Sequence, residues 1–332
     1  MQYRTIGQTD LSVSVVAMGC WAIVGGFNWG PQDEAESLAT IRAALDAGIN
    51  FFDTAEGYGD GYSEQLIARA LAGRRAEVII ASKVSQNHLA AAQVKEACER
   101  SLRNLATDYI DLYQIHWPSR EIPFEETMRA LEDLRAAGKI RHIGVSNFGK
   151  LDMPAMLRVG RYESNQLPYN LLWRAIEFDI QPQCVEHQIS ILPYSPLMQG
   201  LLTGKFQSVD DVPLDRARTK HYASQRTELS RHGGPGYETE TFEAVHAIRA
   251  ICEEIGRPME QVALAWLLHQ PAVTSVIAGA RSPQQIRANA QAGDLILPDD
   301  VVARLTQATD HLKALFGPDP DMWGAPDEAR YR

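Results

Sequence analysis

Residues 108–117 read Asp108-Tyr109-Ile110-Asp111-Leu112-Tyr113-Gln114-Ile115-His116-Trp117. The apolar run from Tyr109 to Ile115 predicts a β-strand, and His116 stands at its end. Two upstream stretches share the form: Asn50-Phe51-Phe52-Asp53 and Val78-Ile79-Ile80-Ala81-Ser82-Lys83 each end in a charged residue. Similar runs recur near 50–56, 78–84, 109–117, 140–147, 163–169, 190–195 and 274–280, and Val13 to Met18 brings the count to eight. Strands that read as continuous apolar runs are buried on both faces, which implies a parallel sheet covered by helices.

The intervening segments carry helical periodicity. They span about 33–47, closed by Gly48, and 63–72, opened by Ser63 as a cap and closed by Gly73. The series continues at 89–105, 123–137, 150–158 and 175–187, then a helical pair at 240–255 and 259–269. The last, 282–292, has Ser282 as its N-cap and Pro283 at its first helical position. Eight such repeats predict an α/β fold, a closed (β/α)8 TIM barrel, and no composition break divides residues 1–332 into more than one domain. Three parts lie outside the repeat. Residues 2–15 read as a β-hairpin plugging the barrel floor. Residues 198–239 form a long polar connection, expected as a functional lid or a disordered stretch. Residues 300–316 read as one amphipathic helix followed by a Pro-rich tail carrying Trp323.

A net charge of −10 argues against nucleic acid or an anionic membrane as a partner. Cys20, Cys98, Cys184 and Cys252 are scattered, with no paired spacing and no His at zinc-ligand distance, so no metal is expected. The first residues carry no apolar signal core, and no apolar run is long enough to span a bilayer. A cytoplasmic protein, monomeric or homo-oligomeric, is the expectation.

Asp53, Tyr58, Lys83 and His116 all fall at or just after strand ends, the face of a barrel where catalytic groups collect. Asp53-Thr54-Ala55-Glu56-Gly57-Tyr58-Gly59 sets a carboxylate beside a tyrosine in a Gly-rich turn. A tyrosine is a weak acid, and a nearby ammonium lowers its pKa. Lys83 supplies that charge in this reading, Asp53 fixes Lys83, and His116 orients and polarises a carbonyl oxygen. Together they make an acid that protonates a carbonyl as hydride reaches its carbon.

No Gly-x-Gly-x-x-Gly follows the first strand, so the dinucleotide fingerprint is missing. Ser146 and Asn147 end one strand and Gln166 lies in the next, offering hydroxyl and amide groups suited to a carboxamide. Tyr194 offers a face for a flat ring. Ala278-Gly279-Ala280-Arg281 leads into a helix N-terminus, a ready phosphate site with a guanidinium beside it. Gln285 and Asn289 share one face of that helix. Trp21, Trp29, Trp117 and Trp173 suggest an aromatic-walled pocket, with Trp21, Tyr58, His116 and Trp117 against the substrate and Trp21 also against the cofactor.

These residues resemble the aldo-keto reductase superfamily from Arg4-Thr5-Ile6-Gly7 to about Asn289. The motifs are Gly48-Ile49-Asn50-Phe51-Phe52-Asp53-Thr54-Ala55 with Tyr58 and Lys83, the stretch 108–117, and Gly138-Lys139-Ile140-Arg141-His142-Ile143-Gly144-Val145-Ser146-Asn147-Phe148. The resemblance implies extended NADP(H) bound without a Rossmann fold and reversible carbonyl reduction on a small-molecule substrate. It makes Tyr58 the general acid, tuned by Lys83 and Asp53. It puts Ser146, Asn147 and Gln166 on the carboxamide and Tyr194 on the nicotinamide face. Ser195, Leu197, Gly200, Leu201 and Lys205 match the segment lining the pyrophosphate, and Arg281, Gln285 and Asn289 the adenosine-phosphate end. The stretch 193–205 is similar to the bacterial general-stress or inositol-utilisation type and to the potassium-channel β-subunit branch. The aldose-reductase pattern has a Lys-Ser pair where this chain has Gly279-Ala280 and an Arg where it has Gln285. Arg281 is then the main candidate for the 2′-phosphate, and NAD(H) stays open beside NADP(H). An NAD(P)+-dependent alcohol or inositol dehydrogenase on the same site, a slow NADP(H)-sensing regulatory subunit and a non-redox phosphate-binding barrel are the alternatives.

Overall fold

The computed structural model describes residues 1–26, 29–325 and 330–332. A two-stranded antiparallel hairpin opens the chain, β1 (Tyr3–Thr5) and β2 (Ser12–Ser14). The barrel strands follow: β3 (Val16–Gly19), β4 (Phe51–Asp53), β5 (Ile79–Val84), β6 (Ile110–Ile115), β7 (Ile140–Ser146), β8 (Ser164–Pro168), β9 (Ser190–Tyr194) and β10 (Val276–Gly279). All neighbours pair in parallel in sequence order, and β10 returns to β3. The remaining seam, between β9 and β10, is stitched by a parallel bridge from Ile191 to Val273, with Ile191 N–H on the Ala272 carbonyl at 2.8 Å. The expected hairpin and eight-stranded parallel barrel are what the chain forms.

The hairpin closes the barrel from below. Its Ile6, Leu11 and Val13 pack against Ala17, Phe51, Ala81, Leu112, Leu192 and Ile277, one inward side chain from each of six strands. The larger hydrophobic cluster lies outside the strands, between sheet and helices. Those helices are α1 (Glu34–Asp46), α2 (Tyr62–Ala70), α3 (Ala91–Leu105), α4 (Phe124–Ala136), α5 (Asp152–Leu157), α6 (Ile176–Glu186), α7 (Glu238–Glu254), α8 (Met259–Leu268) and α9 (Pro283–Gln291), then α10 (Asp299–Gln307) and α11 (Asp310–Phe316).

Three local expectations fail for identifiable reasons. Ser63 does not cap α2: the cap is Gly61 at φ 88°, and the Ser63 hydroxyl donates to the Cys20 carbonyl at 2.7 Å. The helix expected over 300–316 is two. The buried Arg174 guanidinium donates to the Thr306 carbonyl at 2.8 Å, the Thr309 hydroxyl at 3.0 Å and the Asp310 carboxylate at 2.8 Å, and so draws on backbone that a continuous helix would use. The 198–239 connection is not the stretch without regular structure that was the second expectation for it. Short 3₁₀ turns at Met198–Thr203, Val209–Asp211 and Ser224–Arg226 punctuate it, and Leu202, Ala217 and Tyr222 anchor it in the core.

Candidate active site

The two-residue period of a strand builds this site. Phe51, Ala81, Leu112, Leu192 and Ile277 face the barrel interior, so the residues two positions further on do as well. Those are Asp53, Lys83, Gln114, Tyr194 and Gly279. A polar layer therefore sits directly above an apolar one. Gly144 belongs to the same interior: a Cβ there would lie 2.5 Å from Ser164 Oγ and 2.9 Å from Gln114 Cγ.

Every charge in that layer has a partner. Lys83 Nζ donates to Asp53 Oδ1 at 2.7 Å, to the Thr54 carbonyl at 2.8 Å and to Tyr58 Oη at 3.3 Å. The other carboxylate oxygen of Asp53 accepts from Gln166 Nε2 at 2.7 Å and Gln114 Nε2 at 3.3 Å. Tyr58 comes from the turn after β4, which Gly59 closes at φ 61°. Its ring stacks on Trp21 with centroids 5.8 Å apart, meets His116 edge-on at 5.8 Å, and lies 4.9 Å from Lys83 Nζ.

Burial sets the protonation states. It raises the Tyr58 phenol, and Lys83 pulls it down without overcoming burial and the Asp53 carboxylate, so the net direction is upward. The depressed phenol expected from the sequence is thus reversed, because burial outweighs the Lys83 charge and Asp53 adds to the upward push. Lys83 is pushed down by burial, but Asp53 and Tyr58 together carry it above the ordinary lysine value. Burial, helped by the Lys83 charge, lowers His116 to about 3, so its imidazole is neutral at physiological pH.

A cavity of about 830 Å³ opens onto this group. Trp21, Trp29, Trp117 and Trp323 form its aromatic walls, with Asp53, Tyr58 and His116 beside them. Ser146, Asn147, Gln166 and Tyr194 line it next, then Ser195, Leu197, Gly200 and Lys205. Gly279, Arg281, Gln285 and Asn289 complete it at the start of α9, where Ser282 and Pro283 sit as expected and the Ser282 hydroxyl accepts from Gln285 N–H at 3.3 Å. Among the described residues no helix is long and apolar enough to cross a membrane, and no cluster of His, Cys, Asp or Glu is arranged to hold a metal.

Some expected residues stand elsewhere or are engaged. Lys83 lies behind Tyr58, outside the cavity wall, and reaches the cavity through the phenol. Leu201 is buried in the core, 1% exposed, and is not among the residues lining the cavity. Trp173 is wholly buried, its Nε1 donating to the Pro320 carbonyl at 3.1 Å, so it forms no wall. The Gln166 amide is held by Asp53. The Arg281 guanidinium is held by Gln32 Oε1 at 2.8 Å and by the Pro31 carbonyl.

The sequence reading missed Arg216, Arg218 and Arg231, which bring further positive charge to the cavity from the 198–239 connection, and Glu260 from α8. Neither strand-end position nor periodicity marks them. The Arg216-Ala217-Arg218 pair in an acidic chain was the available signal. Lys205 is lowered by its burial and by Arg216, as expected where cations crowd a site.

Residues 15–310 match the profile of the Aldo/keto reductase family. The chain belongs to that family. It is 38% identical over 303 residues to the aldo-keto reductase YhdN of Bacillus subtilis, covering 87% of each protein. It is 32% identical over 322 residues to the NADH-specific methylglyoxal reductase of Escherichia coli, covering 90% of this chain and 95% of the relative. The crystal structure of an aldo-keto reductase from Klebsiella pneumoniae in complex with NADPH superposes with a TM-score of 0.73 at 31% identity over 96% of each chain. The motifs at 48–55, 108–117 and 138–148 fall inside the matched stretch of this aldo/keto reductase.

Proposed function

We propose that this chain reduces aldehyde, ketone or sugar carbonyls with NADP(H), and that Tyr58 donates the proton. One observation carries the reading: Tyr58 Oη lies 3.3 Å from a Lys83 ammonium that Asp53 and the Thr54 carbonyl lock in place, at the wall of a cavity large enough for an extended dinucleotide.

The lining fits such a cofactor. Cations at Lys205, Arg216 and Arg281 and the N-terminus of α9 suit its phosphates. A Cβ at Gly279 would have only Ala22 and Gly19 within reach, both at 4.0 Å, so the strand end leaves room for a ligand. Ser146, Asn147 and Tyr194 would hold the nicotinamide end. When bound, the cofactor supplies hydride to the carbonyl carbon. Tyr58, kept protonated by burial, hydrogen-bonds the carbonyl oxygen and gives up its proton as negative charge develops there. Lys83 stabilises the phenolate left behind, and Asp53 keeps Lys83 in position. The neutral imidazole of His116 orients the carbonyl oxygen without adding charge. We assign recognition of the 2′-phosphate to Lys205 and Arg216 with Arg281, because the Arg281 guanidinium is already shared with Gln32 and Pro31.

A panel of carbonyls, including methylglyoxal, glyceraldehyde and benzaldehyde, assayed by kcat/KM with NADPH and with NADH tests this. Turnover with NADPH preferred is the expected result. Cofactor binding without oxidation across the panel supports a sensing role instead, and no nicotinamide binding overturns the proposal.

A further inference from the structure

The segment 330–332 returns to the cavity and docks behind its wall. The Tyr331 hydroxyl donates to Asn147 Oδ1 at 2.6 Å, and its ring meets Trp117 edge-on with centroids 5.3 Å apart. Arg330 pairs with Asp321 through Nε at 2.6 Å and Nη2 at 2.5 Å, and its guanidinium lies 4.4 Å over the Trp117 ring. The Arg332 N–H donates to Asp152 Oδ2 at 3.0 Å, and its carbonyl accepts from Leu151 N–H at 2.7 Å. Gly149 makes room for this: a Cβ there would lie 2.2 Å from the Arg332 carbonyl oxygen and 2.7 Å from its nitrogen.

Docking saturates one amide. Asn147 Nδ2 donates to the His116 carbonyl at 3.0 Å and to Ser146 Oγ at 3.0 Å, which uses both of its hydrogens. Asn147 Oδ1 accepts from Tyr194 Oη at 2.9 Å and from Tyr331 Oη at 2.6 Å, which uses both lone pairs. Tyr331 does not itself line the cavity, whereas Asn147 does.

We propose that Tyr331 is a positioning residue acting through Asn147: its hydroxyl occupies the acceptor site that a nicotinamide carboxamide N–H needs, so docking of 330–332 and seating of the carboxamide oppose each other. This rests on the assignment of Asn147 to the nicotinamide pocket. A carboxamide that takes Asn147 Oδ1 has to displace one hydroxyl. Tyr331 is the one carried on a segment held by side-chain and turn contacts, whereas Tyr194 is fixed in β9. Because binding couplings are reciprocal, the cofactor loosens 330–332 by the factor that 330–332 weakens the cofactor.

The test is NADPH affinity by fluorescence titration in the full chain and in Tyr331→Phe, which keeps the ring on Trp117 and removes only the hydroxyl. Loss of one neutral hydrogen bond corresponds to about a threefold to tenfold change in Kd, here a tightening. Gly149→Ala, which pushes Arg332 out without touching Asn147, tightens NADPH in the same direction. The 3-acetylpyridine analogue of NADPH has a methyl ketone and no N–H to donate, so its Kd stays within twofold between the two proteins. A merely structural role would move both cofactors alike and in the weakening direction. Hydrogen exchange at 330–332 rises when NADPH is added. Equal or weaker NADPH binding in Tyr331→Phe overturns the coupling alone. Failure of the unaltered chain to bind NADPH overturns the nicotinamide reading and the coupling with it.

Discussion

Lys83 and Asp53 form a 2.7 Å ion pair with their side chains 0% and 3% exposed. Such a pair is costly to half-remove, because the surviving charge stays buried without its partner. Breaking a buried pair costs about 3–5 kcal/mol, while replacing both partners with apolar residues of similar volume is often neutral. Asp53→Leu alone is therefore expected to lower stability by about that amount, and Lys83→Met with Asp53→Leu to recover much of it. Turnover stays lost in the double variant. Chemical denaturation beside a steady-state assay checks this, and a double variant as unstable as the single one would contradict it.

Tyr58→Phe keeps the stacking on Trp21 and removes the acid. Turnover should fall by about 10²–10⁴-fold, the usual contribution of a positioned proton donor. Cofactor affinity should change little, because the ring remains. Turnover within a few-fold of the unaltered chain would remove Tyr58 from the role of acid.

The upward shift of Tyr58 fixes the sign of a pH profile. Reduction needs the protonated phenol, so kcat should hold through neutrality and decline only as pH rises past the ordinary tyrosine range. A reduction rate that rises with pH across neutrality would contradict a phenol donor.

His116 contributes to the acid side of stability, beside His221, which burial lowers to about 4. Its folded pKa near 3 lies below the unfolded value of 6.5, so below 6.5 the unfolded chain binds a proton that the folded chain does not. The His116 contribution is fully present above 6.5 and is lost as pH falls toward 3, by up to about 1.4 kcal/mol per pH unit. His116→Gln should flatten that slope in denaturant midpoints between pH 7 and 5. An unchanged slope would show that other groups carry it.

Gly144 faces the interior with Ser164 Oγ and Gln114 Cγ already within the reach of a Cβ. Gly144→Ala is expected to cost about 1–3 kcal/mol by overpacking. Because Gln114 supports Asp53, the variant should also slow turnover. A melting temperature equal to that of the unaltered chain would show that the layer yields more easily than its distances suggest.

The barrel and the grouping of Asp53, Tyr58, Lys83 and His116 were legible because they follow local rules: continuous apolar runs give buried parallel strands, and polar residues at strand ends gather on one rim. The side chains of Leu201 and Trp173 lie outside the cavity lining, and neither a motif position nor a residue type says which side of a wall a side chain faces. Arg231 and Tyr331 were invisible, and Arg216 was marked only by its pairing with Arg218, for a related reason. The arginines reach the cavity, and Tyr331 reaches Asn147 at its wall, through long-range docking of irregular chain, held by contacts such as Asp321 with Arg330, and such contacts have no sequence period. The break between α10 and α11 is of the same kind, since the residue that makes it, Arg174, lies more than a hundred positions upstream.

The hairpin seal at Ile6, Leu11 and Val13 has a consequence for proton supply. Beneath Asp53 and Lys83 lies the apolar layer of Ala17, Phe51, Ala81, Leu112, Leu192 and Ile277, backed by the hairpin, so the floor side offers the phenol little polar contact. On the proposed reading, a proton given up by Tyr58 is replaced from the cavity that Tyr58 lines, the same side on which the product leaves. Recharging the proposed acid and clearing the cavity would then share one route.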